Sequence, residues 1–140
     1  MALTVAGSDS GGGAGVQADI KTMEALGVFG TSAVTSVTAQ NTTGVEAVED
    51  VSPEVVSQQI DAVAEDFEVE AAKTGMLSNA SIIEVVAEKI DEHDLDVVVD
   101  PVMVAQSGDR LLDEDAEEVL REELVPRATL VTPNIPEAEM

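Results

Sequence analysis

Glycine and polar residues that could bind a ligand are concentrated at a few positions of this 140-residue sequence. The segment 7–15 (GSDSGGGAG) is the most unusual, because five of its nine residues are glycine. Glycine lacks a Cβ, so the backbone N–H groups of such a loop can approach a ligand closely. If a helix follows the loop, its N-terminus favours an anion. The segment therefore predicts a ligand-binding loop, and a plain structural turn is the alternative.

The same segment contains a partial dinucleotide-binding pattern. Gly13, Gly15 and Ala18 satisfy G-x-G-x-x-A, whereas no Gly-Lys-Ser/Thr follows, which excludes a P-loop. A dinucleotide site also needs an acidic residue after the second strand, to bind the ribose hydroxyl group. The sequence has Gln40 and Asn41 there, so a dinucleotide-dependent oxidoreductase remains only as an alternative function.

Two further side chains are candidates for contact with a ligand near this loop. Gln40 ends a stretch that carries no charge, and its amide offers donors and an acceptor to the edge of a heterocycle. The alternative for Gln40 is a loop amide that satisfies backbone groups. Asp19, early in a predicted helix, either favours the helix dipole or points up beside the glycine-rich segment.

Oxygen-bearing side chains in the second half of the chain predict a cation site. Asp100 ends the most apolar stretch, and an aspartate at the end of a strand commonly binds a metal or a phosphate-bound water. Asn134 and Glu137 are three residues apart at a predicted helix start, so they share one face and could orient hydrated Mg²⁺. The same spacing fits a capping box, which is the preferred interpretation from spacing alone.

The elements that must position these residues alternate between short apolar runs and amphipathic segments. The apolar runs predict strands at residues 2–6, 31–39, 45–51, 70–74, 96–100 and 128–132. Helices are predicted between them at residues 16–26, 52–67, 78–90 and 112–124, with Gly27 closing the first and Ser52 and Ser78 capping the second and third. His93 falls in the link before the strand at 96–100, and we expect it to be exposed and without a role.

Strands that alternate with helices imply right-handed crossovers and an α/β fold, a largely parallel sheet with helices on both faces. In such sheets ligands bind at the C-terminal ends of the strands. The polar residues at those ends form the candidate site: Gly7-Ser8-Asp9, Gln40-Asn41, Lys73-Thr74-Gly75, Asp100 and Thr132-Pro133-Asn134.

Composition excludes several classes of function. The chain has 29 Asp and Glu against 6 Lys and Arg, a net charge of −23, so no basic cluster could bind nucleic acid or an anionic membrane. Its 44% hydrophobic content argues against disorder. Without cysteine it has no disulfide and no thiolate metal site. No stretch is apolar enough to span a bilayer and no signal peptide is recognisable, so we expect a cytoplasmic protein.

The acidic residues are unevenly distributed. Residues 1–45 hold three acidic residues and one lysine, so nearly all of the negative charge lies in residues 46–140. The nearly neutral first third is typical of a ligand-facing region. So many carboxylates beside so few lysines predict a halophilic, haloarchaeal protein whose self-repulsion is screened by salt. An acid-rich mesophilic surface and a nucleic-acid mimic are the alternatives.

Taken together, the motifs resemble one family. The segment 5–21 (VAGSDSGGGAGVQADIK) is similar to the opening of the hydroxymethylpyrimidine and phosphomethylpyrimidine kinases, ribokinase-superfamily enzymes of thiamine biosynthesis. The match continues in family order over the whole chain with TAQNT (38–42), KTGML (73–77), VDPVM (99–103), SGD (107–109) and TPNIPEA (132–138).

The resemblance implies a ribokinase-like fold and ATP-dependent phosphorylation of 4-amino-5-hydroxymethyl-2-methylpyrimidine and then of its monophosphate. By motif position it implies that Gln40 hydrogen-bonds the aminopyrimidine and that five further residues shape the pocket: Gly7, Ala14, Asp19, Met76 and Val102. It also implies that Asp100, Asn134 and Glu137 lie near Mg²⁺ and the transferring phosphoryl group. Phosphoryl transfer needs mostly positioning and charge neutralisation, which such residues provide.

Length is where the sequence departs from the family. Members are nearly twice as long, and their C-terminal half supplies most of the ATP site and a Gly-Thr-Gly-Cys or Gly-Thr-Gly-Asp segment with the catalytic residue. The resemblance therefore implies that residues 1–140 form the N-terminal, pyrimidine-binding portion, with the catalytic residue beyond Met140. We expect little or no kinase activity from this chain alone. A catalytically inactive pyrimidine-binding module is the alternative, and related vitamin-B6 alcohols as substrates and a homo-oligomeric state remain open.

Overall fold

The computed structural model describes residues 1–104, 112–113 and 115–139, so the SGD motif at 107–109 lies outside the described residues. The strands are β1 (Ala2–Ala6), β2 (Gly30–Val34), β3 (Ser36–Asn41), β4 (Gly44–Asp50), β5 (Ala71–Thr74), β6 (Val97–Val99) and β7 (Leu130–Val131). The α-helices are α1 (Gly15–Ala25), α2 (Pro53–Ala64), α3 (Ala80–Glu92), α4 (Ala116–Val119) and α5 (Ile135–Ala138). After α4 the chain continues through a π-helical turn (Leu120–Leu124) and a 3₁₀ turn (Val125–Arg127).

A parallel sheet in the order β2-β1-β5-β6-β7 forms the centre of the molecule, which confirms the predicted α/β fold. Helix α1 packs on β1 and β2, whereas α3 contacts both α2 and α4 in a second layer. Right-handed crossovers place α1 on one face of the sheet and the other three on the opposite face. The chain runs outward from β1 to β2 and then returns past β1 to β5. The direction of winding therefore changes between β1 and β5, where open parallel sheets bind ligands.

Apolar side chains from both layers fill the space around this sheet. Leu3, Val97 and Val99 from the strands are fully buried, as are Ile60 of α2 and Ile82 of α3. The predicted apolar face of α3, residues 82, 83, 86 and 90, is buried as expected. The other predicted strands of the sheet have bounds within two residues of those observed.

The predicted single strand at 31–39 is wrong, because the chain changes sheet at Thr35. Its backbone N–H donates to the Ala6 carbonyl at 3.0 Å, and its hydroxyl donates to the Met76 carbonyl at 2.8 Å. The chain continues as β3, which pairs antiparallel with β4 in a separate two-stranded sheet. In β3 the polar residues Ser36 and Thr38 are buried while Val37 is exposed, the reverse of the usual pattern.

The shape of the glycine-rich loop is fixed by a carboxylate within it. Asp9 accepts hydrogen bonds from the backbone N–H groups of Gly11, Gly13 and Ala14 at 2.8, 2.9 and 2.8 Å. Burial acts to raise the pKa of Asp9, but these backbone donors together hold that pKa below its usual value. The loop therefore already contains its own anion. The backbone N–H groups of these three residues are thus bonded within the loop, and the expectation of a ligand-binding loop stays a prediction.

Two helix ends differ from the sequence-based expectations. Asn79, not Ser78, caps α3: its side-chain oxygen accepts from the backbone N–H of Ile82 at 3.1 Å. Ser78 is engaged elsewhere, because its hydroxyl donates to Asp50 at 2.7 Å. Helix α2 begins at the predicted Ser52 cap but ends at Ala64 rather than reaching Phe67.

The first and fourth predicted helices also begin at different residues from the observed helices. The first helix begins one residue earlier than expected, and Gly27 follows it with a φ of +73°, as predicted. The fourth predicted helix, expected from Leu112, begins at Ala116. Leu112 is nevertheless buried and packs in the core.

His93 is not exposed as predicted, because it ends α3 where α3 packs against α2. Its ring is only 15% exposed, and its Nε2 lies 2.7 Å from the carboxylate of Asp61. Lys89 lies 2.9 Å from the same carboxylate. The hydrogen bond from His93 and the neighbouring ammonium hold the pKa of Asp61 below its usual value. The histidine thus joins two helices of one layer.

None of the helices in the described ranges has the length and apolar character needed to cross a bilayer.

The corrected cap of α3 predicts different effects for two adjacent substitutions. Asn79→Ala removes the acceptor of the Ile82 N–H, so we expect it to lower the free energy of unfolding by about 1 kcal/mol. Ser78→Ala should cost less, since its hydroxyl bonds an exposed aspartate. Urea unfolding followed by circular dichroism measures both. A larger loss for Ser78→Ala would restore the original cap assignment.

The carboxylate inside the glycine-rich loop predicts a pH-dependent contribution to stability. Asp9→Asn replaces the anion by a neutral amide, so we expect a loss of about 2 kcal/mol or more at pH 7. Because the pKa of Asp9 is lower in the folded state, the wild-type advantage is present above the unfolded pKa and is lost as pH falls through the folded pKa. Urea titrations from pH 7 down to about pH 2 test this. A constant difference across that range would contradict the assignment.

Candidate functional site

A cavity of about 240 Å³ opens at the C-terminal ends of β1 and β5, where the sheet changes its direction of winding. All six residues that the family resemblance implies for substrate binding line this cavity, together with Asp100. The six are Gly7, Ala14, Asp19, Gln40, Met76 and Val102. They come from five separate parts of the chain and meet only in the fold. Their role in binding stays a prediction.

Gly7 lines the cavity at the end of β1, where a larger residue would displace its neighbours. A Cβ on Gly7 would lie 2.5 Å from the Cε of Met76 and 2.6 Å from the hydroxyl of Ser36. The thioether of Met76 therefore packs directly over the backbone of the loop. Met76 is a flexible apolar side chain that adapts to the face of a flat ligand.

An ion-pair cluster spans one wall of the cavity. The Nζ of Lys73, at the end of β5, lies 3.2 Å from the Asp19 carboxylate and 3.7 Å from Asp100. Asp19 also accepts a hydrogen bond from the hydroxyl of Thr4 at 2.6 Å. Asp19 thus points into the site, which decides between the two interpretations of this residue. The cluster carries two negative charges and one positive charge.

Lys73 belongs to the site although it was not among the predicted binding residues. The sequence did place it at a strand end, within the Lys73-Thr74-Gly75 group. It is a cation in a strongly acidic chain at the edge where ligands bind, and that signal was available from the sequence. What the sequence could not supply was the pairing with Asp19, which is 54 positions away along the chain.

Asp100 is a cavity carboxylate whose pKa lies above its usual value. Burial raises its pKa, and the nearby negative charge of Glu137 acts in the same direction, while Lys73 opposes both. Such a carboxylate is poised to accept a cation, because a bound cation would relieve the burial cost and the repulsion together.

Asn134 and Glu137 do not line the main cavity. They form a capping box at the start of α5, in which each side-chain oxygen accepts from the other residue's backbone N–H at 2.9 Å. Glu137 instead borders a second cavity of about 150 Å³ beside Arg121 and Met103. The preferred interpretation from spacing is therefore confirmed, and the metal role of this pair stays a prediction.

The arrangement suits a small, flat, polar ligand. The cavity offers the amide of Gln40, the carboxylates of Asp19 and Asp100, the ammonium of Lys73 and the thioether of Met76. Those groups can pair with the amino and ring-nitrogen edge of a heterocycle and pack on its face. An anion held by the loop is not favoured, since the Asp9 carboxylate occupies its N–H groups. The dinucleotide alternative loses its main structural support for the same reason.

A curated protein and a solved structure both resemble this chain over nearly its whole length. The hydroxymethylpyrimidine/phosphomethylpyrimidine kinase of Bacillus subtilis is 60% identical over 139 residues, which is 99% of this chain and 51% of that protein. The crystal structure of phosphomethylpyrimidine kinase from Clostridium difficile superposes with a TM-score of 0.93 at 50% identity, covering 99% of this chain and 60% of that one.

A vitamin kinase of different specificity is also similar. The structure of Staphylococcus aureus pyridoxal kinase in complex with AMP-PCP and pyridoxal has a TM-score of 0.83 at 37% identity, covering 98% of this chain and 49% of that one. The chain thus spans about half the length of the curated relatives that it matches. The family model for phosphomethylpyrimidine kinase matches residues 9–140. On this evidence the chain belongs to the phosphomethylpyrimidine kinase family.

Proposed function

We propose that this chain is the pyrimidine-binding portion of a kinase that phosphorylates 4-amino-5-hydroxymethyl-2-methylpyrimidine and then its monophosphate, for thiamine diphosphate biosynthesis. One observation carries the proposal: the six residues implied for substrate binding, scattered through the sequence, line a single cavity at the switch point of the sheet. A chance set of motif matches would not converge in this way. The family to which the chain belongs supports the same chemistry.

In this proposal the cavity recognises the aminopyrimidine by its edge and its face. The amide of Gln40 hydrogen-bonds the amino and ring-nitrogen edge, since it can donate and accept at once. Met76 and Val102 pack on the ring, and Gly7 leaves room for the Met76 side chain beside it. Asp19, held by Thr4 and Lys73, presents a carboxylate to a donor on the ligand.

ATP is the proposed phosphoryl donor, with Mg²⁺ as its cation. The donor set fits a magnesium ion, which prefers carboxylate oxygens. Asp100 and Glu137 are close enough for the charge of Glu137 to raise the pKa of Asp100. A divalent cation held near these carboxylates would relieve that repulsion. Asn134 would support the cation indirectly by fixing Glu137 through the capping box. Bound Mg²⁺ would neutralise charge on the transferring phosphoryl group.

A vitamin-B6 alcohol is the competing substrate. The similarity to the pyridoxal kinase of Staphylococcus aureus favours testing it, because that protein was solved with pyridoxal and shares the fold over 98% of this chain. An inactive pyrimidine-binding module is the second alternative, and it differs from the proposal in catalysis rather than in binding. Assay with ATP, Mg²⁺ and the pyrimidine alcohol, with this chain and with a chain extended to full family length, separates the two.

The proposed setting is a cytoplasm of high ionic strength. The net charge of −23 would repel nucleic acid and anionic membranes, and salt screens the self-repulsion that such a charge creates. Binding and activity measurements therefore belong in molar KCl.

Substitution of Gln40 tests the proposed ligand directly. Gln40→Ala removes the amide that pairs with the edge of the ring, so the polar groups of the bound ligand lose their hydrogen-bond partner. We therefore expect the affinity for the aminopyrimidine to fall about 30-fold or more. Gln58→Ala, on an exposed position of α2, is the matched control and should bind as the wild type does. Isothermal titration calorimetry with the pyrimidine alcohol and with pyridoxal measures both affinities.

Three results of that titration would count against the proposal. Equal affinity of wild type and Gln40→Ala would remove Gln40 from the site. Tighter binding of pyridoxal than of the pyrimidine would move the substrate to the vitamin-B6 class. Absence of binding of either compound to the wild-type chain would contradict a pyrimidine-binding portion altogether.

A further inference from the structure

The edge of β3 that faces away from β4 is hydrogen-bonded to the glycine-rich loop rather than to another strand. The backbone N–H of Ser8 donates to the Ser36 carbonyl at 2.8 Å. Two positions on, Thr38 is held twice: its backbone N–H donates to the Ser8 hydroxyl at 3.1 Å, and its own hydroxyl donates to the Ser8 carbonyl at 2.8 Å. The loop thus replaces a neighbouring strand along this edge.

At Gln40 a single serine hydroxyl continues this pairing. The backbone N–H of Gln40 donates to the Oγ of Ser10 at 2.8 Å, and the same Oγ donates to the Gln40 carbonyl at 2.6 Å. A hydroxyl can accept and donate at once, so Ser10 satisfies both backbone groups of one residue. These are the two backbone hydrogen bonds that a residue on a neighbouring strand would form with Gln40.

The other side of Gln40 is held less regularly. Between Ala39 and Gln40 the register with β4 shifts, so that Glu46 is left without a direct partner. Such bulges bend a strand and change the direction of its side chains. A lone two-stranded hairpin is also only marginally stable. The direction of the Gln40 side chain therefore depends strongly on its contact with the loop.

The loop itself is a firm support for that contact. The carboxylate of Asp9, adjacent to Ser10, is bonded to three backbone N–H groups. On the other side of Ser10, a Cβ on Gly11 would lie 3.3 Å from the Cα of Asn41 and 3.4 Å from the Gln40 carbonyl oxygen. The absence of a side chain at Gly11 thus lets the loop approach β3 closely enough for the serine to reach.

We propose that Ser10 is a positioning residue, whose hydroxyl fixes the backbone of Gln40 at the bulge and so directs the Gln40 amide into the cavity. This inference rests on the proposed function, because the ligand that Gln40 binds is the aminopyrimidine. Ser10 itself does not line the cavity as described, and it acts through Gln40. Without the hydroxyl, the Gln40 backbone remains in β3 but the side-chain amide can turn to other directions.

The expected effect is a loss of affinity without a loss of fold. Two hydrogen bonds of ordinary net strength correspond to about a tenfold to hundredfold change in an equilibrium constant. Because Ser10 is exposed and part of the freed backbone can bond water, we expect the affinity of Ser10→Ala for the pyrimidine alcohol to fall about tenfold. Ser10→Thr retains the hydroxyl and should bind within about threefold of the wild type.

The binding experiment is a double-mutant cycle in molar KCl. Calorimetry compares the wild type, Ser10→Ala, Ser10→Thr, Gln40→Ala and the double substitution, with Ser81→Ala on the exposed face of α3 as the matched control. If Ser10 acts through Gln40, adding Ser10→Ala to Gln40→Ala causes no further loss. Full additivity of the two losses, or wild-type affinity for Ser10→Ala, would overturn the proposal.

A second measurement needs no ligand. Amide hydrogen exchange followed by NMR reports whether the Gln40 N–H has its acceptor. We expect protection in the wild type and in Ser10→Thr, and exchange at least about tenfold faster in Ser10→Ala. Unchanged exchange in Ser10→Ala would refute the contact even if the pyrimidine bound. If the wild type bound no pyrimidine, the proposed function would fail, whereas this exchange experiment would still decide whether Ser10 fixes Gln40.

Discussion

The carboxylate of Asp9 is the interaction on which the rest of the site depends. It accepts hydrogen bonds from three backbone N–H groups and so ties together a loop of mostly small residues. In the proposed function the loop therefore contributes to binding through its shape rather than through free N–H groups. From this fixed loop, Ser8 and Ser10 reach across to β3. The loop and one wall of the cavity are therefore parts of one hydrogen-bonded unit.

The opposite wall is built by electrostatics in a chain that has few cations. Lys73 lies between Asp19 and Asp100 at the point where β1, β5 and β6 end. Because an acidic surface repels anions, a neutral heterocycle is a better match for this cavity than a free phosphate. The negative charge left over at Asp100 and Glu137 suits a cation, which the proposed kinase chemistry requires. In the proposed function the two walls divide recognition of the ring from neutralisation of the phosphoryl group.

Much of the fold was predictable because its signals are local. Buried runs such as β1 and β6, and the Ser52 cap of α2, depend on neighbouring residues, and all were predicted close to their observed bounds. The switch of sheet at Thr35 was not, because it depends on carbonyls of Ala6 and Met76 that are distant in sequence.

The site followed the same division between local and non-local information. The family motifs predicted Gln40 and Asp19 as binding residues, and both line the cavity. Periodicity could not reveal that Lys73 pairs with Asp19 or that Asp9 bonds the N–H groups of its own loop. His93 was missed for the same reason, since its partner Asp61 lies on another helix.

The central claim, that the loop holds its own anion while the cavity accepts a neutral pyrimidine, is tested most directly by NMR amide-shift mapping of the ¹⁵N-labelled chain. Added pyrimidine alcohol should shift the amides of Gly7, Gln40 and Met76, and added inorganic phosphate should leave those of Gly11 and Gly13 unmoved. Phosphate shifts at these two glycines, with no response of Gln40 to the pyrimidine, would contradict the account.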